Sequence, residues 1–158
     1  MDINKAHKKS GLSTAQIGKC GETLVQYWLL KFGVESAPMT TDNGIDLVAY
    51  APITQRAVTI QVKSNEKAKR SGGKGALALD WWLREDSPAE IVALVDLETD
   101  QIWLFTHIEL EGLAQQHSNG KMHFYFYIDE TYHPKKSNSH MRNFGDYEIR
   151  KRAGKLLR

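Results

Sequence analysis

The fold of this chain follows from two short segments, DNGIDL at positions 42–47 and VTIQVK at positions 58–63. Polar and apolar residues alternate in both, which is typical of β-strands with one buried face. If the intervening loop closes an antiparallel hairpin without a bulge, Asp46 lies opposite Gln61, with Cβ atoms roughly 5 Å apart. Lys63 follows about 7 Å further along the same face. A carboxylate, an amide oxygen and an ammonium group are therefore predicted to converge.

This polar cluster has the composition of a site for a hard divalent cation. Asp46 and Gln61 offer oxygen ligands of the kind that Mg²⁺ accepts, and the other coordination positions of the ion go to water and phosphate oxygens. Lys63 adds a positive charge beside such a phosphate. A metal ion can activate water and stabilise the charge of an in-line displacement, so the three residues together predict phosphodiester hydrolysis.

At these positions the chain resembles the PD-(D/E)XK nuclease superfamily. The family pattern is an Asp on one strand, then an acidic residue or Gln, any residue and Lys on the next strand, with a Glu on the preceding helix. The matching residues are Glu22, Asp46 and Gln61-Val62-Lys63, in the family's order. The chain departs from the pattern in having no Pro before the Asp and in having Gln for the acidic residue, which removes one negative charge. In having Gln at this position, the chain resembles the branch of the family that contains Mrr-type restriction enzymes and some intron-encoded homing nucleases.

The resemblance implies a role for each matching residue. Asp46 would be the principal metal ligand, helped by Gln61 and the backbone carbonyl of Val62. Lys63 would position or activate the attacking water, and Glu22 would bind a second metal ion or orient water. The implied cofactor is Mg²⁺, with Mn²⁺ as a substitute. The implied fold is α/β, a restriction-endonuclease-like α-β-β-β-α-β core with a mixed sheet, to which this chain adds a hairpin and a basic C-terminal extension.

The function that follows from the resemblance is a metal-dependent DNA endonuclease, of junction-resolving, restriction, homing or repair type. Two alternatives stay open: a catalytically inactive nucleic-acid-binding module on the same fold, and an RNA nuclease. Because cutting both strands of a duplex usually takes two active sites, a homodimer or a higher homo-oligomer is expected.

Length and composition fit one soluble domain. The chain has 158 residues, of which 41% are hydrophobic and 25% are charged, as is ordinary for a globular protein. It contains no apolar run near the ~20 residues of a membrane span. Its N-terminus lacks the apolar core of a signal peptide, so a cytoplasmic location is expected. The single Cys20 excludes an internal disulfide and is expected to lie in the core.

Charge is distributed unevenly along the chain. The net charge is +2, yet eight Lys or Arg residues stand against two acidic residues from Lys135 onward. Such a tail suggests an anionic partner, although it could also be a solvated helix whose cations complement its own dipole. The predicted organisation is a flexible basic arm at 1–12, a nuclease core domain at 13–134 and a basic extension at 135–158 that packs on the core.

The predicted elements begin with a helix that has Ser13 and Gln16 as a capping box and that ends at Gly33. Glu22 falls at the edge of the apolar stripe of this helix. The later predictions are strands at 34–39, 91–95, 102–105 and 122–128, a mobile polar loop at 64–75, helices at 76–84 and 108–116, and a final amphipathic helix after 146.

Two basic groups are predicted to contact phosphates. The first is on the polar loop, at Lys67, Lys69, Arg70 and Lys74. The second is on the final helix, at Arg150, Lys151, Lys155 and Arg158.

The adjacent tryptophans Trp81 and Trp82 are assigned to core packing rather than to base stacking. Because adjacent residues of a helix cannot both face inward, one of the two is expected to be exposed. The histidines lack zinc-ligand spacing.

Overall fold

The computed structural model describes residues 11–41, 43–135 and 139–157. Within these ranges the helices are α1 (Thr14–Lys31), α2 (His107–Leu113) and α3 (Ile149–Leu156). The strands are β1 (Glu35–Pro38), β2 (Leu47–Ala51), β3 (Arg56–Asn65), β4 (Lys69–Arg70), β5 (Leu77–Arg84), β6 (Ile91–Asp96), β7 (Gln101–Thr106), β8 (Gln116–Ser118) and β9 (Lys121–Tyr127). They form a five-stranded sheet in the order β1-β2-β3-β6-β7 and a four-stranded sheet in the order β4-β5-β9-β8.

The first helix begins and ends as the sequence predicts. The Ser13 side chain accepts from the Gln16 N–H and the Gln16 side chain accepts from the Ser13 N–H, which completes the capping box. At the other end Gly33 has φ of +77°, and the N–H of Val34 reaches back to the carbonyl of Leu29. These bonds satisfy backbone groups that a helix end leaves without partners.

The hairpin that decides the fold is also confirmed. β2 and β3 pair antiparallel from Leu47↔Ile60 to Ala51↔Arg56, which is the predicted register. One face of the pair is buried, and its residues belong to a core that also contains Val25 and Leu29 of α1. The apolar alternation predicted which face is buried, and closure of the short loop without a bulge then fixed the register.

The five-stranded sheet is mixed, as predicted. β3 pairs parallel with β6, and β6 pairs antiparallel with β7 through the predicted turn. All six residues of β6 are buried, which is typical of a central strand covered on both faces.

The prediction of a helix at 76–84 is wrong, because these residues form β5. Leu79, Trp81 and Leu83 are buried while Asp80 and Trp82 face outward, so the segment has the two-residue period of a strand rather than a helical period. The connection from β3 to its parallel neighbour β6 therefore runs through the second sheet. The second helix of the expected α-β-β-β-α-β order is replaced by a strand, whereas the α/β class and the mixed sheet hold.

Other element boundaries also differ from the predictions. The segment 64–75 contains the end of β3, the short strand β4 and a 3₁₀ turn at Ser71–Gly73, so it is not one irregular loop. The predicted helix at 108–116 ends at Leu113, and the chain then enters β8. In both segments, backbone pairing with β5 or β9 supplies hydrogen bonds that the local sequence pattern does not reveal.

Cys20 is exposed, so its assignment to the core is wrong. The buried residues of α1 are Gly21, Val25 and Leu29, which recur every four residues. Cys20 precedes this stripe by one residue, or by about 100° around the helix axis, and so it faces away from the sheet.

Two apolar cores result from this arrangement. The first lies between α1, α3 and one face of the five-stranded sheet, and α3 contributes Ile149, Ala153 and Leu157 to it. The second lies between the two sheets and is rich in aromatic rings, including Trp103 and Phe126. The C-terminal segment is further held by an ion pair between Arg152 of α3 and Glu109 of α2.

No helix within the described ranges is long and apolar enough to cross a membrane. The predicted arm at 1–12 lies outside these ranges except for its last two residues, as do Asp42, Lys136 and Arg158.

Candidate active site

The candidate site begins where β3 passes from one partner strand to another. On the β2 side the ladder ends at Ile60. On the other side β3 pairs with β6 from Ile60 to Asn65. Further along, the Asn65 amide donates to the carbonyl of Asp80 of β5. Gln61 and Lys63 therefore lie on the part of β3 between the end of its pairing with β2 at Ile60 and its contact with β5 at Asn65.

Asp46 is held against this part of β3 by three hydrogen bonds. Its backbone N–H donates to the Ile60 carbonyl at 2.9 Å, and its carbonyl accepts from the Met39 N–H at 2.8 Å. Its carboxylate Oδ2 accepts from the N–H of Val62 at 2.6 Å. Val62 lies between Gln61 and Lys63, so the carboxylate is fixed next to both residues on the β3 backbone. A charge-assisted bond of this length also orients the carboxylate.

Gln61 and Lys63 line one cavity of about 520 Å³. Other contributors are Asn43 and Gly44 of the turn before β2, Trp82 to Arg84 of β5, Asp86 to Pro88 of the following loop, and Lys121 of β9. The cavity thus lies between the end of the β2–β3 hairpin and the second sheet, and Leu83 of the core between the sheets forms part of its wall.

The amide of Gln61 is buried and fixed. The residue is only 6% exposed, and its Oε1 accepts from the Ser87 hydroxyl at 3.1 Å. The Ser87 loop is brought there by close packing, because a Cβ on Gly44 would lie 3.0 Å from Cδ of Pro88. Gly44 also has φ of +87°, a conformation that side chains disfavour.

The charge in the cavity is mostly positive. Arg84 donates two hydrogen bonds to Asp86, at 2.9 and 2.8 Å, and these bonds lower the pKa of the Asp86 carboxyl. Asp86 therefore neutralises Arg84. Lys63 and Lys121 take part in no ion pair within the described part of the chain, so their charges are available to an anion in the cavity.

Of the predicted site residues, Gln61 and Lys63 line this cavity, whereas Asp46 and Glu22 lie beside β3 and are not among its lining residues. α1 packs on the Val62 face of β3 so closely that a Cβ on Gly21 would lie 1.8 Å from Oγ of Ser64. Glu22 is the next residue; its side chain is 23% exposed and pairs with Lys19 at 3.0 Å. The half-buried position agrees with the predicted helix wheel, and the carboxylate pairs with a lysine of the same helix.

The predicted phosphate contacts form two separate groups. Lys67, Lys69, Arg70 and Lys74 are exposed, and Lys69 and Arg70 line a second cavity of about 320 Å³ on the outer face of the four-stranded sheet. On α3, Arg150, Lys151 and Lys155 are exposed. Arg150 lies 4.6 Å from the ring of Trp28, and Lys151 lies 3.7 Å from Asp146.

Sequence reasoning did not assign Trp82, Arg84, Ser87 or Lys121 to the site, although they line the cavity. Two of these were hidden by the wrong helix assignment, although the alternation in β5 was a signal for a strand with Trp82 and Arg84 on one face. Ser87 and Lys121 carry no such signal, because only the packing of distant segments brings them to Gln61.

The donor set fits a hard divalent cation. The described residues hold no cluster of three His, Cys, Asp or Glu side chains, so a metal ion here would depend on the Asp46 carboxylate, the Gln61 amide oxygen and a backbone carbonyl. The Gln61 Oε1 accepts one hydrogen bond from Ser87, which leaves its second lone pair for a ligand bond. All of these donors are oxygens, the type that Mg²⁺ prefers, with water and phosphate completing its coordination.

The fold is similar to that of a solved endonuclease structure. The solved structure of a bacterial homing endonuclease, I-Ssp6803I, is similar over 92% of this chain and 91% of its own, with a TM-score of 0.60 and 18% sequence identity. That of Hjc, a Holliday junction resolvase from the archaeal hyperthermophile Archaeoglobus fulgidus, is similar over 72% of this chain and 84% of its own, with a TM-score of 0.46 and 18% identity. No family model and no curated protein matches the sequence. The likeness to I-Ssp6803I confirms the restriction-endonuclease-like fold that the PD-(D/E)XK resemblance implied.

Proposed function

We propose that this protein is a metal-dependent DNA endonuclease that hydrolyses phosphodiester bonds. The observation that carries the proposal is the hydrogen bond from the Val62 N–H to the Asp46 carboxylate, because it brings the carboxylate to the strand segment that presents Gln61 and Lys63 to one cavity. The resemblance to a homing endonuclease over almost the whole of both chains supports the same reading. The nearest alternative is a DNA-binding protein on this fold that does not cleave.

Each residue of the site has a role in the proposed reaction. Asp46, Gln61 and the Val62 carbonyl would hold Mg²⁺, for which Mn²⁺ would substitute, and Glu22 would bind a second ion or orient water. When bound, the metal lowers the pKa of water and offsets the charge of the transition state. Lys63 orients the attacking water and attracts the phosphate, while Ser87 keeps the Gln61 amide oxygen directed into the site.

Plasmid cleavage tests the proposal. Supercoiled DNA should be nicked or linearised when Mg²⁺ or Mn²⁺ is present and should remain intact in a chelator, because the site needs a cation to activate water. A matched RNA of the same sequence tests the RNA-nuclease alternative. Binding of DNA without cleavage under every metal condition would contradict the enzyme and favour the inactive binding module.

Replacing Gln61 by Glu should lower the Mg²⁺ concentration that gives half-maximal cleavage. Glu retains an oxygen that can accept from Ser87, and it adds one negative charge to the metal site. The same variant should be less stable than the wild type without metal and should gain more thermal stability on addition of Mg²⁺, because an unpaired buried charge is unfavourable. Cleavage across a Mg²⁺ titration and melting curves with and without Mg²⁺ measure both effects. An unchanged metal requirement would leave the Val62 carbonyl as the ligand in place of Gln61.

The exposed cations of α3 are proposed to contact the DNA backbone. Their helix docks through Ile149, Ala153 and Leu157, which leaves the opposite face open. Replacing Arg150, Lys151 and Lys155 together by Gln should weaken binding to all sequences alike, and it should flatten the salt dependence by about 0.9 in slope for each lost phosphate contact. Affinity measured across a salt series decides this, and equal slopes would mean that the cluster only complements the helix dipole, which is worth at most ~1 kcal/mol.

A homodimer or higher oligomer is proposed for the active form. The described chain offers one candidate site, and both strands of a duplex present a scissile phosphate, so two copies related by symmetry would match a substrate that is itself symmetric.

A further inference from the structure

Trp82 is a large aromatic side chain exposed beside the candidate site. It is 47% exposed, whereas its neighbour Trp81 is 3% exposed and packs between the sheets. Trp82 also lines the same cavity as Gln61 and Lys63. The indole belongs to neither apolar core, and it lines the cavity of the candidate active site. It is therefore positioned to contact a substrate.

The Trp82 ring is held in place before any ligand binds. His123, which is its direct cross-strand neighbour in the β5–β9 ladder, stacks on it with ring centroids 4.2 Å apart and an angle of 3° between the planes. The imidazole is oriented in turn, because its Nε2 lies 2.9 Å from Oδ2 of Asp80. A ring fixed in this way loses little conformational freedom on binding, and so more of its stacking energy contributes to affinity.

The surroundings of the indole favour a nucleotide as the ligand. His123 covers one face of the ring, and the half-exposed Trp82 lines the same cavity as Lys63 and Lys121. A flat apolar face beside ammonium groups matches a nucleobase joined to a phosphate, and stacking of this kind is available to every base. A base inside a duplex already has neighbours on both faces, so it reaches such a platform only when it is unstacked.

We propose that Trp82, with His123 and Asp80 as positioning residues, is a stacking platform for one unpaired base next to the phosphate in the site. This inference rests on the proposed function and narrows its substrate class to DNA that is unpaired, bulged or branched, or that becomes locally unstacked, at the cleavage position. Trp82 thereby selects substrate structure, and Lys63 and Asp46 act on the phosphate.

Binding without metal tests the platform separately from cleavage. The probes are a fully paired duplex and the same duplex with one unpaired 2-aminopurine, in a buffer that contains a chelator. The wild type should bind the unpaired probe about tenfold more tightly and should quench its fluorescence. Trp82→Leu, which keeps apolar bulk but has no aromatic face, should lose both the preference and the quenching, while Trp82→Phe should retain a part of each.

Tyr27→Ala is the matched control. Tyr27 is 55% exposed and belongs to α1, which packs on the opposite face of the sheet, so its loss should change neither readout. Retained preference and quenching in Trp82→Leu, or a wild type without preference for the unpaired probe, would overturn the platform. Since these measurements need no catalysis, a protein that fails to cleave can still pass them, and an active nuclease can still fail them.

Discussion

Replacing Lys63 by Met or Asp46 by Asn should reduce the rate of DNA cleavage about 100-fold or more. Both residues act on charge that develops in the transition state, and loss of one such group in other enzymes costs a factor on the order of 10²–10³. The measurement is single-turnover cleavage at saturating enzyme, so that weaker binding does not enter the rate. Near-normal turnover by either variant would show that the site is assigned to the wrong residues.

The choice of Asn at position 46 follows from the Asp46 hydrogen bond to the Val62 N–H. Asn retains an oxygen that can accept this bond, whereas Ala would leave a partly buried N–H without a partner, at a cost of about 1–3 kcal/mol. Asp46→Asn should therefore unfold near the wild-type temperature, while Asp46→Ala should be less stable as well as inactive. Asp146→Asn is the control, because its side chain is 92% exposed and lies on the C-terminal segment.

Adding a single methyl group at two glycines of α1 should change stability in opposite directions. At Gly21 a Cβ would lie 1.8 Å from Oγ and 2.9 Å from Cβ of Ser64, so Gly21→Ala should destabilise the fold by roughly 1–3 kcal/mol through overpacking. At Gly18 a Cβ meets nothing within 4 Å, so Gly18→Ala should stabilise it by roughly 0.5–1 kcal/mol through helix propensity. Chemical denaturation of the two variants measures the difference.

A compensating change at Ser64 tests the cause of the Gly21 effect. Ser64→Gly removes both atoms that the new methyl group would meet, so the double variant should recover part of the stability that Gly21→Ala loses, with a coupling free energy of about 0.5–3 kcal/mol. Strictly additive effects would show that the helix does not approach the strand this closely. The close packing of α1 on β3 at Gly21 also places the next residue, Glu22, beside β3. A Gly21 variant that stays folded but loses cleavage would therefore support the proposed role of Glu22.

The sequence predicted most of what local periodicity and pairing control. The capping box at Ser13, the C′ position of Gly33 after α1 and the register of β2 with β3 are confirmed. Each depends on residues close in sequence or on one strand face that must be buried, and for that reason the pattern of residue types was sufficient.

The segment at 77–84 shows where local reasoning failed. It contains leucines, an alanine and tryptophans that are compatible with a helix, yet it is a strand because β9 supplies a partner with a complementary buried face. Strand preference depends on cross-strand packing more than on the residues themselves. The partner lies some forty positions later in the chain, from Lys121 to Tyr127, beyond the reach of a local pattern.

By itself, the sequence determined the register of the hairpin beside Asp46, Gln61 and Lys63, because strand alternation and a short connection leave few alternatives. It also predicted the identity and order of the site residues, and that assignment stays a prediction. Only the tertiary structure decided what surrounds them. Packing between the two sheets brings β5 next to β3 and Ser87 into contact with Gln61. It also places the exposed Trp82 at the same cavity. Such packing is set by the shape of the apolar core between the sheets, and a local sequence pattern does not encode it.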